Sequence, residues 1–375
     1  MSAAVAVIRA TALRNNLRQV RRAAPGCPVL AVIKANAYGH GLVAVARILH
    51  EADAFAVARL EEALQLRESG ITEKRIVVLA GFTSAEEASL IAAHRLDAVI
   101  HSPEQVAVLE TPSQRGPVDL WIKVDTGMGR LGIEAASLVG IVRRLRALPA
   151  GCGTLRLMTH LACADQSESG FTSAQMSEFA RLRGDFQGDI SVANSAGILQ
   201  WPETTVQTFP IPGARNWVRP GLMLYGVSPL PGCSADSLGL QPAMSFESRL
   251  IAVRHLPRGH AVGYGGDWRA PRDIILGVAA AGYADGYPWH SAKTTPALVN
   301  GCKVPVIGRV SMDMITLDLS DVRTAKPGDR VVLWGDTPAV EEIAAHAGTI
   351  PYELLAGMSA RVTRQIENGE PGNSV

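Results

Sequence analysis

The sequence predicts an α/β fold with a β addition: an N-terminal TIM-type (β/α)8 barrel followed by a C-terminal, mainly β domain. Three observations carry this. Between about residue 28 and residue 235, eight short β-branched runs alternate with longer amphipathic segments, the pattern of parallel strands joined by helices. After about residue 240 the helical period fades, and strand-like pieces follow one another through Gly, Pro and Asn. The chain's 375 residues also suit two domains better than one, at about 150 residues per domain.

The barrel strands are read at PVLAVIK (28–34), AFAVA (54–58), RIVVLA (75–80), LDAVI (96–100), DLWIKVD (119–125), TLRLMTH (154–160), ISVAN (190–194) and NWVR (216–219). Most are nearly continuous apolar runs, as expected of parallel strands covered on both faces. Between them Leu42, Val45, Ala46 and Leu49 recur at helical intervals. FTSAEEASLIAAHR and FTSAQMSEFARLRG place Thr or Ser ahead of an acidic residue, which suits a helix start. The stretch SPLPGCSADSLGLQP (228–242) is the natural linker, dividing residues 1–235 from 236–375, with the first ten or so residues able to join the β domain. MSFESRLIAVRHL, IILGVAAAGY, TPALVNG, CKVPVIGRVSMDMITLDL and DRVVLWG are the later strand candidates, and PAVEEIAAHAGT restores a helical period.

Composition narrows the class. Apolar residues make up 47% and charged residues 19%, enough to build a sizeable core. Lys plus Arg is 36 against 35 Asp plus Glu, a net charge of +1. That balance argues against a nucleic-acid or anionic-membrane partner. No apolar run approaches the roughly 20 residues of a bilayer span, and the amino terminus lacks the basic start and long apolar stretch of a signal peptide. The five cysteines are scattered and never form a CxxC pair, so neither a disulfide framework nor a zinc site is expected. The expected setting is cytoplasmic.

In such barrels chemistry lies at the carboxyl ends of the strands. Those ends carry Lys34, Arg59, His101, Lys123 with Asp125, His160, Asn194 with Ser195, and Arg219. Each alone reads more readily as a cap, a salt bridge or a satisfied core group; their convergence is the stronger observation. AVIKANAYGHG (31–41) is the most specific segment. A lysine closing a buried strand is placed to lose its proton by desolvation, as a Schiff base to a carbonyl cofactor requires. Tyr38, four residues on, lies in the turn before the next helix, where its hydroxyl can reach an anion.

Gly127, Gly129 and Gly132 match G-x-G-x-x-G after a strand. The acidic residue expected about 20 positions later is missing, because the next strand ends in Thr159 and His160, so a dinucleotide site is rejected. NSAGILQ and RPGLMLYG instead follow the last two barrel strands, where barrels often bind phosphate through backbone N–H groups; Ser195, Gly221 and Leu222 are the candidates.

Taken in order, AVIKANAYGHG, KVDTGMGRLG, NSA, WVRPGLMLYG, VGYGGDW, GYADGYP and GRVSMDM closely resemble the bacterial alanine racemases, isomerases dependent on pyridoxal 5'-phosphate. The match runs from about residue 5 to residue 365. The resemblance implies a homodimer with shared active sites, interconverting L- and D-alanine for peptidoglycan supply or alanine catabolism. It implies that Lys34 holds the cofactor and acts as one base, with Tyr264 from the other subunit as the second. Proton removal from one face and delivery to the other needs two such groups. Arg219 would face the pyridine nitrogen, braced by His160. Arg130 would contact the substrate carboxylate, next to Lys123, which is often carbamylated in the family. Tyr38, Ser195, Gly221, Leu222 and Tyr352 match phosphate-contacting positions, with Asn194 behind them. Met312 would meet the substrate from the partner subunit, and Tyr283 would narrow the entrance. Ser311 stands where some members carry Cys. Racemisation of another small amino acid such as serine, a fold-related decarboxylase and a non-catalytic cofactor carrier are the alternatives. Arg219 speaks against the decarboxylase, and the second domain speaks against the carrier.

Overall fold

The computed structural model describes residues 4–111, 116–148, 151–168, 170–205, 213–291 and 294–368. The chain opens with β1 (Ala4–Arg9), which takes no part in the barrel. The barrel strands are β2 (Leu30–Val32), β3 (Ala54–Val57), β4 (Arg75–Val78), β5 (Asp97–Ile100), β6 (Asp119–Lys123), β7 (Leu155–Met158) and β8 (Ile190–Ser191). All seven pair in parallel and in sequence order. Their side chains are almost wholly buried because helices cover the outside and packed side chains fill the inside.

The eighth segment, expected at 216–219, forms isolated bridges rather than a strand. Val218 bridges to Val29 and Asn216 to Ile190. Leu30 N–H donates to Val218 O and Trp217 N–H to Ile190 O, so the segment still closes the barrel. Residues 216–220 are too short, between Arg215 and the Pro220–Gly221 turn, to sustain a ladder of their own.

The helices follow the expected order, and of the two expected helix starts one differs. Ser84 caps the helix Ala85–Ala93, its hydroxyl accepting from Glu87 N–H. The helix Gly170–Arg183 begins ahead of the FTSA signal, so Thr172 and Ser173 lie inside it and cap nothing.

The β domain is built around β9 (Met244–Leu256), 13 residues long. One half of β9 pairs with β1 and with β16 (Arg330–Trp334); the other half pairs with β12 (Ile274–Ala279). Through β13 (Pro296–Val299), β14 (Cys302–Ile307) and β15 (Ile315–Asp318) the sheet returns to β12 and closes on itself. The last strand, β17 (Thr363–Glu367), runs parallel to β1. A short hairpin, β10 (Ala261–Val262) with β11 (Trp268–Arg269), carries Tyr264 on its connecting turn. The helices Val340–Ala347 and Pro351–Ala356 complete the domain. Among the described residues, no helix is long and apolar enough to cross a membrane.

The amino ends of the barrel strands hold a compact ion-pair network. Arg156 is almost fully buried and lies 3.4 Å from Asp97, 3.6 Å from Asp119 and 3.7 Å from Asp189. Trp121 Nε1 donates to Asp97, and Arg75 reaches both Asp97 and Asp119. This end faces away from the mouth where the candidate site lies, so its polar residues serve stability.

Candidate active site

Lys34 follows β2 and opens a turn of uncommon shape. Ala35, Asn36, Ala37 and Tyr38 all have φ near +50°, a left-handed turn built from residues that carry a Cβ. Each such residue costs roughly 1–2 kcal/mol, so the turn persists only because its surroundings impose it. It projects Lys34 and Tyr38 to the barrel mouth. Burial holds the Lys34 ammonium below the ordinary lysine range; the nearby Arg130 guanidinium adds to this and Glu62 opposes it. An amine with a lowered pKa is what covalent attachment to a carbonyl needs.

The phosphate-side candidates meet across three elements. Ser195 Oγ accepts from Gly221 N–H at 2.9 Å and from Met223 N–H at 3.4 Å. A Cβ at Gly221 would lie 2.7 Å from Tyr38 Oη, so the phenol occupies space that only glycine leaves free. Tyr38 stacks on Tyr225 at 4.7 Å and faces Tyr352 at 6.0 Å. Tyr352 sits on the helix Pro351–Ala356 of the β domain. Asn194 caps the helix Ser195–Gln200: its Oδ1 accepts from Gly197 N–H, and its Nδ2 donates to Leu161 O. It therefore shapes the cradle from behind. Tyr38, Tyr225 and Tyr352 are all held above the ordinary phenol range, burial being the main cause.

Arg219 is buried at the closing segment. Its guanidinium donates to Ser191 Oγ and Thr159 O at 2.5 Å and to Val192 O at 3.3 Å. These acceptors are neutral, and burial lowers its pKa to about 10, so it remains a cation. His160 is driven well below its ordinary value, first by burial and then by Arg219, Lys123, Arg130 and Lys34. The connection between His160 and Arg219 is thus charge proximity that keeps the imidazole neutral. Lys123 is lowered to about 8 by burial, then by Arg219 and Arg130, with Asp125 opposing. Arg130 itself is exposed, on a loop tied back to β6 by Ile133 N–H donating to Lys123 O. The Asp125 carboxylate accepts from Gly127 and Gly129 N–H, and a Cβ at Gly132 would strike Asp125 N at 2.4 Å. The three glycines thus close a loop that aims Arg130 and open no phosphate-binding helix.

Four cations therefore crowd one mouth: Lys34, Lys123, Arg130 and Arg219. That set fits an anionic, carbonyl-bearing cofactor and a carboxylate substrate. Ser195, Gly221, Leu222 and Tyr38 would hold a phosphate of such a cofactor, Arg219 would meet an acceptor on it, and Lys34 would take its carbonyl.

Two strand-end candidates stand apart. Arg59 is exposed and immediately precedes the helix Leu60–Glu68, and the His101 ring is bonded to Ala80 O. The other domain's candidates are solvent-facing in the single chain: Tyr264 is 70% exposed, Met312 53% and Tyr283 41%. Tyr283 N–H and Ala284 N–H donate to Ser311 O and Met312 O, which fixes these two segments together. Sequence reasoning did not single out Tyr225, Thr159 and Ser191. Tyr225 lay within RPGLMLYG, but nothing there signalled its stacking on Tyr38.

Comparison with known proteins bears on this arrangement. The alanine racemase N-terminal domain model matches residues 8–229, and the alanine racemase C-terminal domain model matches residues 243–366. The alanine racemase of Aeromonas hydrophila is 47% identical over 362 residues, covering 96% of this chain and 99% of that protein. That of Pectobacterium carotovorum is 46% identical over 370 residues, covering 99% and 100%. The crystal structure of a biosynthetic alanine racemase from Pseudomonas aeruginosa superposes with a TM-score of 0.90 at 42% identity, covering 98% of this chain and 100% of that one. An alanine racemase from Bartonella henselae with covalently bound pyridoxal phosphate gives 0.86 at 28% identity, covering 98% and 100%.

Proposed function

Since the chain belongs to the alanine racemase family, we propose that Lys34 Nζ and Tyr264 Oη are the two groups that exchange the α-proton of alanine, on opposite faces. The activity itself is an isomerisation, the interconversion of L- and D-alanine with pyridoxal phosphate as cofactor. When bound, the cofactor withdraws electrons and acidifies the α-carbon. The rest falls to the chain's own side chains.

Lys34, with its pKa lowered by burial, gives up its Nζ proton more readily than an ordinary lysine. Arg219 is always a donor, so the group it faces must be an acceptor and stays unprotonated. A carboxylate there would favour a protonated acceptor on the bound cofactor; Arg219 would leave that acceptor unprotonated, the weaker electron sink of the two. Arg130 offers a planar fork for the substrate carboxylate, and Lys123, once carbamylated, would be an anion that orients that fork.

The exposure of Tyr264, Met312 and Tyr283 is the single observation that carries the shared-site reading. An acid–base tyrosine left in solvent is poorly placed to act in its own chain, and the three together form a surface suited to a homodimeric partner. Each site would then join one chain's barrel to its partner's β domain, with the division between the two domains at residues 235/236 and β1 on the β-domain side. A cytoplasmic location is supported by the cysteines, all free.

Tyr264→Phe should keep the absorbance of bound cofactor while activity falls about 10²–10⁴-fold, the usual share of a positioned acid–base group. Mixing the inactive Lys34→Ala and Tyr264→Phe chains tests sharing. Statistical reassortment should restore about one quarter of wild-type racemisation, because each mixed dimer then holds one intact site. No recovery would mean that each chain completes its own site. Decay of the circular dichroism of L-alanine follows the reaction directly.

A further inference from the structure

The left-handed turn Ala35–Tyr38 carries strain that something must hold in place. Two side chains do so from opposite sides. From within the barrel domain, His40 is fully buried; its Nδ1 donates to Tyr38 O at 2.7 Å and reaches Ala37 O at 3.1 Å. Its ring lies 4.5 Å from that of Tyr225, the same ring on which Tyr38 stacks.

From the β domain, Arg364 in β17 donates through Nε to Gly39 O at 2.8 Å. The remaining guanidinium N–H groups go to Met358 O at 3.0 Å, Ser359 O at 3.2 Å and Val362 O at 3.0 Å. One planar fork thus joins the end of the left-handed turn to the segment that follows the helix Pro351–Ala356. Gly39 is pressed against this segment so closely that a Cβ would lie 2.0 Å from Leu355 O. The turn bears Lys34 and Tyr38, and the helix bears Tyr352. Arg364 therefore fixes the spacing between the two tyrosines, 6.0 Å apart at their rings.

We propose that Arg364 and His40 are positioning residues that lock the left-handed turn and thereby hold Lys34, Tyr38 and Tyr352 in register for the cofactor. The proposal rests on the reading of Lys34 as the attachment site. Neither side chain reaches the reacting atoms; each acts through the backbone carbonyls of the turn. Arginine suits the place because its rigid fork serves acceptors on two segments at once, which the single ammonium of a lysine cannot do.

The test dialyses purified holoenzyme and follows retained cofactor by its absorbance, for wild type, Arg364→Lys, Arg364→Gln and His40→Gln. Losing hydrogen bonds made by a charged group should make Arg364→Gln release cofactor about 10- to 100-fold faster. Arg364→Lys should fall between this variant and wild type, and His40→Gln, which keeps one donor, should be milder. A merely structural clamp would lower the melting temperature and leave cofactor release unchanged in every folded variant; that result overturns the proposal. Borohydride reduction of wild-type holoenzyme, followed by peptide mass analysis, locates the attached lysine independently. Label on a lysine other than Lys34 would remove the underlying reading, whereas label on Lys34 with unaltered release in the variants would remove the positioning role alone.

Discussion

The phenol oxygen of Tyr38 approaches Gly221 so closely that a Cβ at that glycine would stand 2.7 Å from it. With Ser195 Oγ accepting from Gly221 N–H at 2.9 Å, the contact draws three separated segments into one cradle. Tyr38 in turn rests on Tyr225, whose hydroxyl donates to Val32 O in β2. The phenol cannot retreat without disturbing the strand that precedes Lys34.

Gly221→Ala should therefore weaken the cradle rather than the fold. Overpacking of this kind costs about 1–3 kcal/mol, which translates into roughly 5- to 150-fold weaker cofactor retention if the strain falls on the bound state. Cofactor affinity measured by absorbance titration checks this, with urea unfolding as a control. Unchanged affinity would mean that Tyr38 has room to move.

Lys123 supplies a prediction with a defined pH dependence. Its ammonium is lowered to about 8, so at pH 7 roughly a tenth of it is the neutral amine. Only that form attacks carbon dioxide: the Nζ lone pair forms the C–N bond, and a proton leaves to give a carbamate anion. The neutral fraction rises as pH increases through about 8. With ¹³C-bicarbonate, a carbamate carbonyl resonance should appear, strengthen between pH 7 and pH 9, and be missing from Lys123→Gln. A wild-type spectrum without that resonance would leave Lys123 as a plain amine.

How much of this was legible in the sequence depends on what each feature requires. The seven barrel strands were readable because strands buried on both faces must be continuous apolar runs, as IVV, DAVI and LWIK are. The eighth, NWVR, reads as a strand but lies too near a turn to form a ladder, a limit set by chain geometry and not by composition. The convergence of Lys34, Lys123, His160 and Arg219 followed from their places at strand ends. The left-handed turn left no such trace. Positive φ is usually announced by glycine, and here Ala35, Asn36, Ala37 and Tyr38 adopt it under constraint from His40 and Arg364, the latter 325 residues from its acceptor Gly39. Contacts of that sequence separation are set by the folded chain as a whole, so no local pattern reports them.

The network at the other end of the barrel should govern stability without touching the reaction. Arg156 is 3% exposed at its side chain and neighbours three carboxylates, with its guanidinium 5.3 Å over the Trp121 ring. Asp97 is already raised to about 6, chiefly by burial, with Arg75 and Arg156 opposing. Arg156→Met removes a partner from a buried charge cluster, a change worth about 3–5 kcal/mol. The urea midpoint should fall accordingly, while kcat/KM for alanine stays near wild type in the folded population. A loss of catalysis at unchanged stability would show that the two barrel ends are coupled.

His40 makes the folded chain sensitive to acid. Burial lowers its imidazole from 6.5 to about 4, outweighing the two backbone carbonyls that favour the charged ring; the Arg364 guanidinium also lowers it. The uncharged ring of Tyr225 is its other close neighbour. In the unfolded chain the ring takes a proton as pH falls below 6.5, whereas in the folded chain it stays neutral until about 4. The folded state is therefore favoured fully above 6.5 and progressively less as pH falls toward 4. At 1.36 kcal/mol per pH unit the loss amounts to about 3 kcal/mol. Urea unfolding at pH 7.5 and at pH 4.5 should show wild type losing roughly 2–3 kcal/mol more than His40→Gln, whose amide keeps a donor for the turn but does not titrate. Carboxylates elsewhere titrate in both chains and cancel in the comparison. Equal losses would mean that the ring accepts a proton in the folded state, which the carbonyls of Ala37 and Tyr38 could accommodate only if Nε2, buried without a hydrogen-bond partner, had gained access to water.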